Sequence, residues 1–198
     1  MYKRFIKRRL DFIFSLISLI LLSPILLIIA LMIKIDSKGP ILFRQKRVGI
    51  HKTYFYILKF RTMSIMAPKD LPTHMLEDSR LYITKIGAFL RKTSLDELPQ
   101  MINIIKGDMA IVGPRPALWN QYDLIIERDK YFANEVLPGL TGWAQINGRD
   151  ELEIPLKAKL DGEYVKNISF LFDIKCIVRT IFTVFTRDGV VEGGTDKK

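Results

Sequence analysis

Residues 12–33 read FIFSLISLILLSPILLIIALMI, 22 positions without a charge and with Ser23 and Pro24 at their midpoint. About 20 apolar residues cover the roughly 30 Å of hydrocarbon in a bilayer, so length alone permits a spanning helix. The flanks argue for something else. Lys3, Arg4, Lys7, Arg8 and Arg9 precede the stretch, and Lys34, Lys38, Arg44, Lys46 and Arg47 follow it. Basic flanks mark cytoplasmic segments, so both ends favour the same side. Pro24 has no N–H, which deprives the Ile20 carbonyl of its helical partner where no water can replace it. Ser18 and Ser23 lie near enough to satisfy the freed backbone. A bend there leaves two arms of about 11 residues, each roughly 16 Å long, or half the hydrocarbon thickness. The expected structure is a re-entrant helical hairpin dipping into one leaflet, with a kinked spanning helix as the alternative. A cleaved signal peptide fits poorly, because the apolar part is too long and no small-residue cleavage site follows it.

The 198 residues allow one domain beside this segment: residues 1–38 as the hairpin with its basic flanks, residues 39–198 as a cytoplasmic catalytic domain. A net charge of +10 calls for an anionic partner. Much of that charge brackets the apolar stretch, as anionic lipid requires, and forms no basic helix interleaved with aromatics, so nucleic acid is not expected. Cys176 is the single cysteine, which rules out an internal disulfide and suits a reducing compartment.

Beyond the hairpin, Gly39-Pro40 reads as a turn, and residues 41–43 and 54–58 as short strands by their β-branched and aromatic content. Residues 64–80, polar and holding Pro68 and Pro72, read as a loop that is mobile or closes over substrate. Helical patterning covers residues 82–92, 98–106 and 119–132, and residues 138–143 read as a glycine-rich loop. Near the end, Phe170, Ile174, Ile177, Val178, Ile181 and Phe185 recur at helical spacing, with Lys175, Arg179 and Arg187 on other faces. Such a helix either belongs to the core or lies in the headgroup layer. The fold class that follows is α/β, helix-rich, with a small β-sheet or hairpin.

The chemistry-bearing segment is RKTSLDELPQ, residues 91–100. Ser94-x-x-Glu97 fits a capping box, and alternatively Asp96 is an N-cap with Pro99 in the first turn. Either reading puts adjacent carboxylates at a helix N-terminus, where the macrodipole favours anions and free N–H groups can receive a phosphate. A carboxylate can attack phosphorus and form an acyl phosphate, but two anions must meet, so a divalent metal, Arg91 and Lys92 would have to relieve the charge. Lys59 and Arg61, in the run from Lys59 to Met63, are further candidate phosphate clamps, with a solvated strand face as their bland alternative. Arg115 is another, its direction fixed by Pro114 and Pro116. The chain has no D-x-D, Walker A loop, G-x-G-x-x-G or H-E-x-x-H, and His51 and His74 cannot by themselves supply a metal set.

Together these segments resemble the monotopic bacterial phosphoglycosyl transferases, or bacterial sugar transferases. The likeness runs through the basic start, Ser23-Pro24, Gly39-Pro40, Arg44-Gln45, residues 59–63, residues 94–100, Gly107-Asp108-Met109, residues 112–116 and residues 138–149. The length matches the family's minimal form. What the resemblance implies is transfer of a sugar 1-phosphate from a UDP-sugar to polyprenyl (undecaprenyl) phosphate, releasing UMP. The setting would be the cytoplasmic face of a bacterial inner membrane, in the first membrane step of capsule, O-antigen or glycoprotein glycan synthesis. It makes Asp96 the nucleophile and gives Mg²⁺ to Asp96 and Glu97, with Glu97 orienting metal or moving a proton. Arg91 would face the phosphate and Arg115 the nucleotide. Residues 82–122 look like capsule enzymes acting on N-acetylated 6-deoxyhexoses, which bears only weakly on the sugar. Membrane lipid and other glycan-assembly enzymes are the implied partners. Competing readings are a basic membrane-surface scaffold and a glycosyltransferase that forms no phosphoryl-enzyme and releases UDP.

Overall fold

The computed structural model describes residues 2–68, 79–148 and 152–186. After a π-helical turn at Tyr2–Ile6, helices α1 (Lys7–Leu21) and α2 (Ser23–Asp36) follow each other through Leu22. They are bent by 63°. Pro24 sits in the first turn of α2, where its missing N–H would have had no intrahelical partner anyway. Ser23 Oγ donates to the Ile20 carbonyl at 2.8 Å, giving that carbonyl a side-chain partner at the bend. Among the described residues no single helix is long and apolar enough to cross a membrane; α1 and α2 meet that standard only together, across the bend.

Helix α1 is inside out. Lys7, Asp11 and Ser15, one turn apart, are buried, while Phe12, Ile13, Phe14, Leu16, Ile17 and Ile20 are exposed. Helix α7 (Phe170–Thr186) repeats the inversion, burying Asp173 and Cys176 and exposing Phe170, Leu171, Ile174, Val178, Ile181 and Phe182. A surface helix in water does the opposite. The two helices meet through polar groups. Lys7 Nζ lies 2.7 Å and Tyr2 Oη 2.5 Å from Asp173 Oδ2, and Tyr164 Oη, on α6 (Ile154–Lys166), lies 2.7 Å from Asp173 Oδ1. Burial, then the Asp173 charge, pushes the Tyr164 hydroxyl well above its ordinary pKa, keeping it a donor. Arg8 donates to the carbonyls of Ile104 and Ile105 at the end of α4 (Gln100–Lys106), the first of which also accepts from Gly107 N at the C-cap. Lys7 and Arg8, read from the sequence as part of the headgroup-facing flank, therefore turn into the protein.

Strands β1 (Leu42–Val48) and β2 (Tyr54–Phe60) form an antiparallel hairpin with Leu42 opposite Phe60 and Val48 opposite Tyr54. It extends the strand segments read from the sequence. Phe60 packs with Ile29 and Ile33 of α2 and with Leu90 of α3 (Lys85–Thr93), whereas Ile57 packs against Ile104 and Met109. Asn103 of α4 stands in for a missing neighbour strand: its Oδ1 accepts from Leu58 N and its Nδ2 donates to the Tyr56 carbonyl, both at 2.9 Å. Thr84 caps α3 by accepting from Gly87 N, and at Gly87 any Cβ would collide with the Thr62 backbone, so α3 lies directly on the end of the hairpin.

A second small sheet pairs β3 (Ala110–Val112) in parallel with β4 (Gly139–Thr141). Residues 138–143 thus hold a strand where the sequence suggested only a loop, because a three-residue strand leaves almost no periodic signal. Helix α5 (Tyr122–Asp129) is shorter than its sequence pattern, ending before Phe132 takes a left-handed φ of 58°. Arg128 fixes it to α6 through a buried pair with Asp161 at 2.6 Å. Among the described residues the result is α/β and helix-rich, with two two-stranded sheets. Residues 69–78 of the expected loop, residues 149–151 and the tail beyond residue 186 lie outside the described residues.

Candidate active site

Helix α3 closes at Thr93 because Ser94 adopts a left-handed φ of 56°, its N–H bonding the Arg91 carbonyl at 3.2 Å. Leu95–Glu97 then form a single 3₁₀ turn, and Pro99 precedes α4. Neither capping reading of the sequence holds. Ser94 ends one helix instead of starting another and makes no side-chain cap, and Asp96 lies inside the turn. The carboxylates are therefore held at a junction between two helices, and what charges them is the side chains around them.

Those side chains arrive from three elements. Lys59, on β2, brings Nζ to 2.6 Å from Glu97 Oε1, and Arg115, from the loop after β3, brings Nη2 to 3.1 Å from the same oxygen. Lys59 is no solvated strand residue, since its side chain is only 16 % exposed. Burial pushes its ammonium down, opposed by the charges of Glu97 and Asp96. Burial likewise pushes the Asp96 carboxyl up, with Glu97 adding to the rise and Lys59, Arg91 and Arg115 opposing it. Three cations thus face two carboxylates, an arrangement with room for a further negative charge.

The frame around Arg115 works as its prolines suggested. Pro114 O accepts from Gly139 N at 2.8 Å and Pro116 O from Arg47 Nη1 at 2.9 Å, which fixes the backbone on both sides of the guanidinium. Pro114 and Pro116 are themselves buried and act through that backbone. At Gly139 a Cβ would run into the Gly113 amide, so glycine is needed where the two strands come this close. Arg61 is not part of the cluster. Its buried guanidinium donates to the carbonyls of Lys38 and of Ser37, the latter at 2.7 Å, at the exit of α2. The structure therefore brings Asp96, Glu97, Arg91, Lys59 and Arg115 together, sends Arg61 elsewhere, and keeps Lys7, Arg8, Ser23 and Pro24 with the apolar helices. Asn103, which sets the strand carrying Lys59, and Arg47, which braces the proline frame, escaped the sequence reading. A lone Asn in a helical pattern and one Arg in a basic run carry no distinguishing signal.

The family model for bacterial sugar transferases matches residues 2–187, and the chain belongs to that family. It is 43 % identical over 190 residues, 92 % of this chain, to the UDP-glucose:undecaprenyl-phosphate glucose-1-phosphate transferase of Escherichia coli strain K12, of which the match covers 40 %. An uncharacterized sugar transferase of Bacillus subtilis strain 168, EpsL, is 38 % identical over 93 % of this chain and 90 % of its own length. The UDP-N-acetylgalactosamine-undecaprenyl-phosphate N-acetylgalactosaminephosphotransferase of Aeromonas hydrophila is 37 % identical over 93 % of this chain and 45 % of its own length. The chain spans less than half the length of the first and third of these relatives and most of the second.

Proposed function

We propose that this chain transfers a sugar 1-phosphate from a UDP-sugar to polyprenyl phosphate, releasing UMP, through a covalent phosphosugar on Asp96. The observation that carries this reading is a half-buried carboxylate facing Lys59, Arg91 and Arg115. In the first step an Asp96 carboxylate oxygen bonds to the phosphorus that bears the sugar, and the P–O bond to UMP breaks, its electron pair leaving with UMP. In the second, a phosphate oxygen of the lipid bonds to that phosphorus and the Asp96–phosphorus linkage breaks, restoring the carboxylate. Both steps pass between anions and need no net proton. Lys59 and Arg115, held meanwhile by Glu97, and Arg91 supply the cations that the diphosphate oxygens require.

The donor set fits Mg²⁺. That ion binds through one or two carboxylates plus substrate phosphates and water, and Asp96 with Glu97 offers such a pair. The metal would contribute charge relief on the diphosphate; the residues around it position the reacting groups.

The setting we infer is the cytoplasmic face of a bacterial inner membrane, with α1 and α2 as a re-entrant hairpin and α7 at headgroup level. The inverted burial of α1 and α7 supports this, since their exposed apolar faces suit lipid. The relatives' names carry glucose and N-acetylgalactosamine, so the sugar itself is left open; the step would be the first membrane-committed one in a capsule, O-antigen or glycoprotein glycan. Incubation with a panel of UDP-sugars, Mg²⁺ and polyprenyl phosphate tests the proposal. UMP is the expected nucleotide product. UDP would show a glycosyltransferase, and no nucleotide release across the panel would leave a scaffold.

A further inference from the structure

We propose that Arg61 is a positioning residue for the lipid half of the reaction, fixing the exit of α2 against the turn that carries Asp96. The proposal rests on the two-step reading above. Three observations meet at this joint. Just past the end of α2, Arg61, only 5 % exposed, takes the carbonyls of Ser37, the C-cap, and of Lys38 with one guanidinium, a cation beside a helix C-terminus. Gly39 has a φ of +125°, and a Cβ there would fall on the Arg61 guanidinium and within 2.8 Å of Ile65 Cγ2, so the chain leaves a space that only this side chain fills. Asp36, the last residue of α2, accepts from Ile86 N at 3.1 Å, tying the same helix end to the first turn of α3.

The joint is wired to the site over a very short distance in sequence. Lys59 reaches Glu97, Phe60 packs on Ile29 and Ile33 of α2, and Arg61 holds the exit of α2. Leu95, the residue before Asp96, packs against the same cluster of Ile29, Ile33, Phe60 and Leu90. The pose of α2 relative to the body is thus the pose of α2 relative to Asp96. A UDP-sugar arrives from water and does not depend on that relation. A lipid phosphate is presented at a height set by the membrane, so its approach to Asp96 depends on how α2 leaves the headgroup layer. Loss of the Arg61 fork should therefore spare the first step and impair the second.

Two variants of the full chain in lipid nanodiscs test this. Arg61→Lys keeps the charge but cannot span both carbonyls, and Gly39→Ala displaces the guanidinium without altering it. Expected in both is a burst of UMP without acceptor within about twofold of the parent, an unchanged KM for UDP-sugar, and a kcat/KM for polyprenyl phosphate lower by about tenfold or more. Hydrogen exchange at residues 34–41, which reads the joint without turnover, should quicken in both. A raised KM for UDP-sugar or a lost burst would overturn the proposal and make Arg61 a phosphate clamp. Parental lipid kinetics, unchanged exchange, or failure of both variants to fold would overturn it as well. Should the parent itself release no UMP from any UDP-sugar, the reaction reading fails, while the exchange measurement still decides whether Arg61 sets the joint.

Discussion

Asp96 is a carboxyl that burial pushes above the ordinary value near 4, and to serve as the proposed nucleophile it must be ionised. The sign follows directly. As pH falls through the raised pKa the nucleophile is protonated, so burst formation should show an acid limb above the usual carboxylate range. A rate that holds flat down to pH 4 would remove Asp96 as the nucleophile. A charge kept in a desolvated site also costs stability once pH exceeds the unfolded pKa. Asp96→Asn should therefore abolish radiolabelling of the protein by UDP-sugar while melting at or above the parent's temperature at pH 7, and the two melting points should converge toward pH 4. Arg115→Ala removes a charge-assisted contact of about 1.5–3 kcal/mol, so the KM for UDP-sugar should rise roughly tenfold or more and that for polyprenyl phosphate less. Equal changes in both would mark Arg115 as structural. The cluster of Asp96, Glu97, Arg91, Lys59 and Arg115 was legible in the sequence because each belongs to an unusual local string. Arg61, two residues from Lys59, points instead to the exit of α2, which the sequence did not show because cations at alternate positions do not say where a strand stops.

Helices were found by their periods, but the meaning of those periods was not legible. The stripe of Phe170, Ile174, Val178 and Ile181 reads equally as core or as outward face until Asp173 and Cys176 are seen on the buried side. Capping failed for a related reason, since Ser94-x-x-Glu97 has the right letters while the left-handed Ser94 closes α3. Asp173 holds Lys7, Tyr2 and Tyr164, and breaking such a buried pair costs about 3–5 kcal/mol. Asp173→Ala should thus lower the melting temperature by on the order of 10 °C. Leu171→Ser, on the outward face of the same helix, should leave melting unchanged and weaken binding to anionic lipid vesicles. If Leu171→Ser instead destabilised the fold and left vesicle binding intact, α7 would be a core helix and the lipid-facing reading would be wrong.

At the scale of the whole molecule, the +10 charge and the exposed apolar surface predict different salt behaviour. Ionic attraction to lipid is screened within about 3 Å at 1 M salt, whereas apolar insertion is not. The chain should stay with membranes through a 1 M salt wash and leave only with detergent; release by salt alone would mean that it sits on the surface by charge. Chelation of divalent metal should stop UMP release without changing membrane association. Topology can be read with cysteines placed at Lys3 and Lys38, both expected to react with an impermeant thiol reagent only after the cells are opened. Cys176 will not confuse the result, being fully buried with its thiol pushed up to about 11.

The pair between Lys7 and Asp173 joins positions 166 residues apart. At the usual 5–20 residues per second, ribosomes take roughly 8–30 s to make the chain between them. Throughout that interval Lys7 has only Asp11, one turn along its own helix at 3.4 Å, as a partner among these charges. The polar seam between the first and last helices can therefore close only once the last helix has emerged. Completion of that seam is timed by α7, and a chain truncated before Asp173 should leave Lys7 with Asp11 alone.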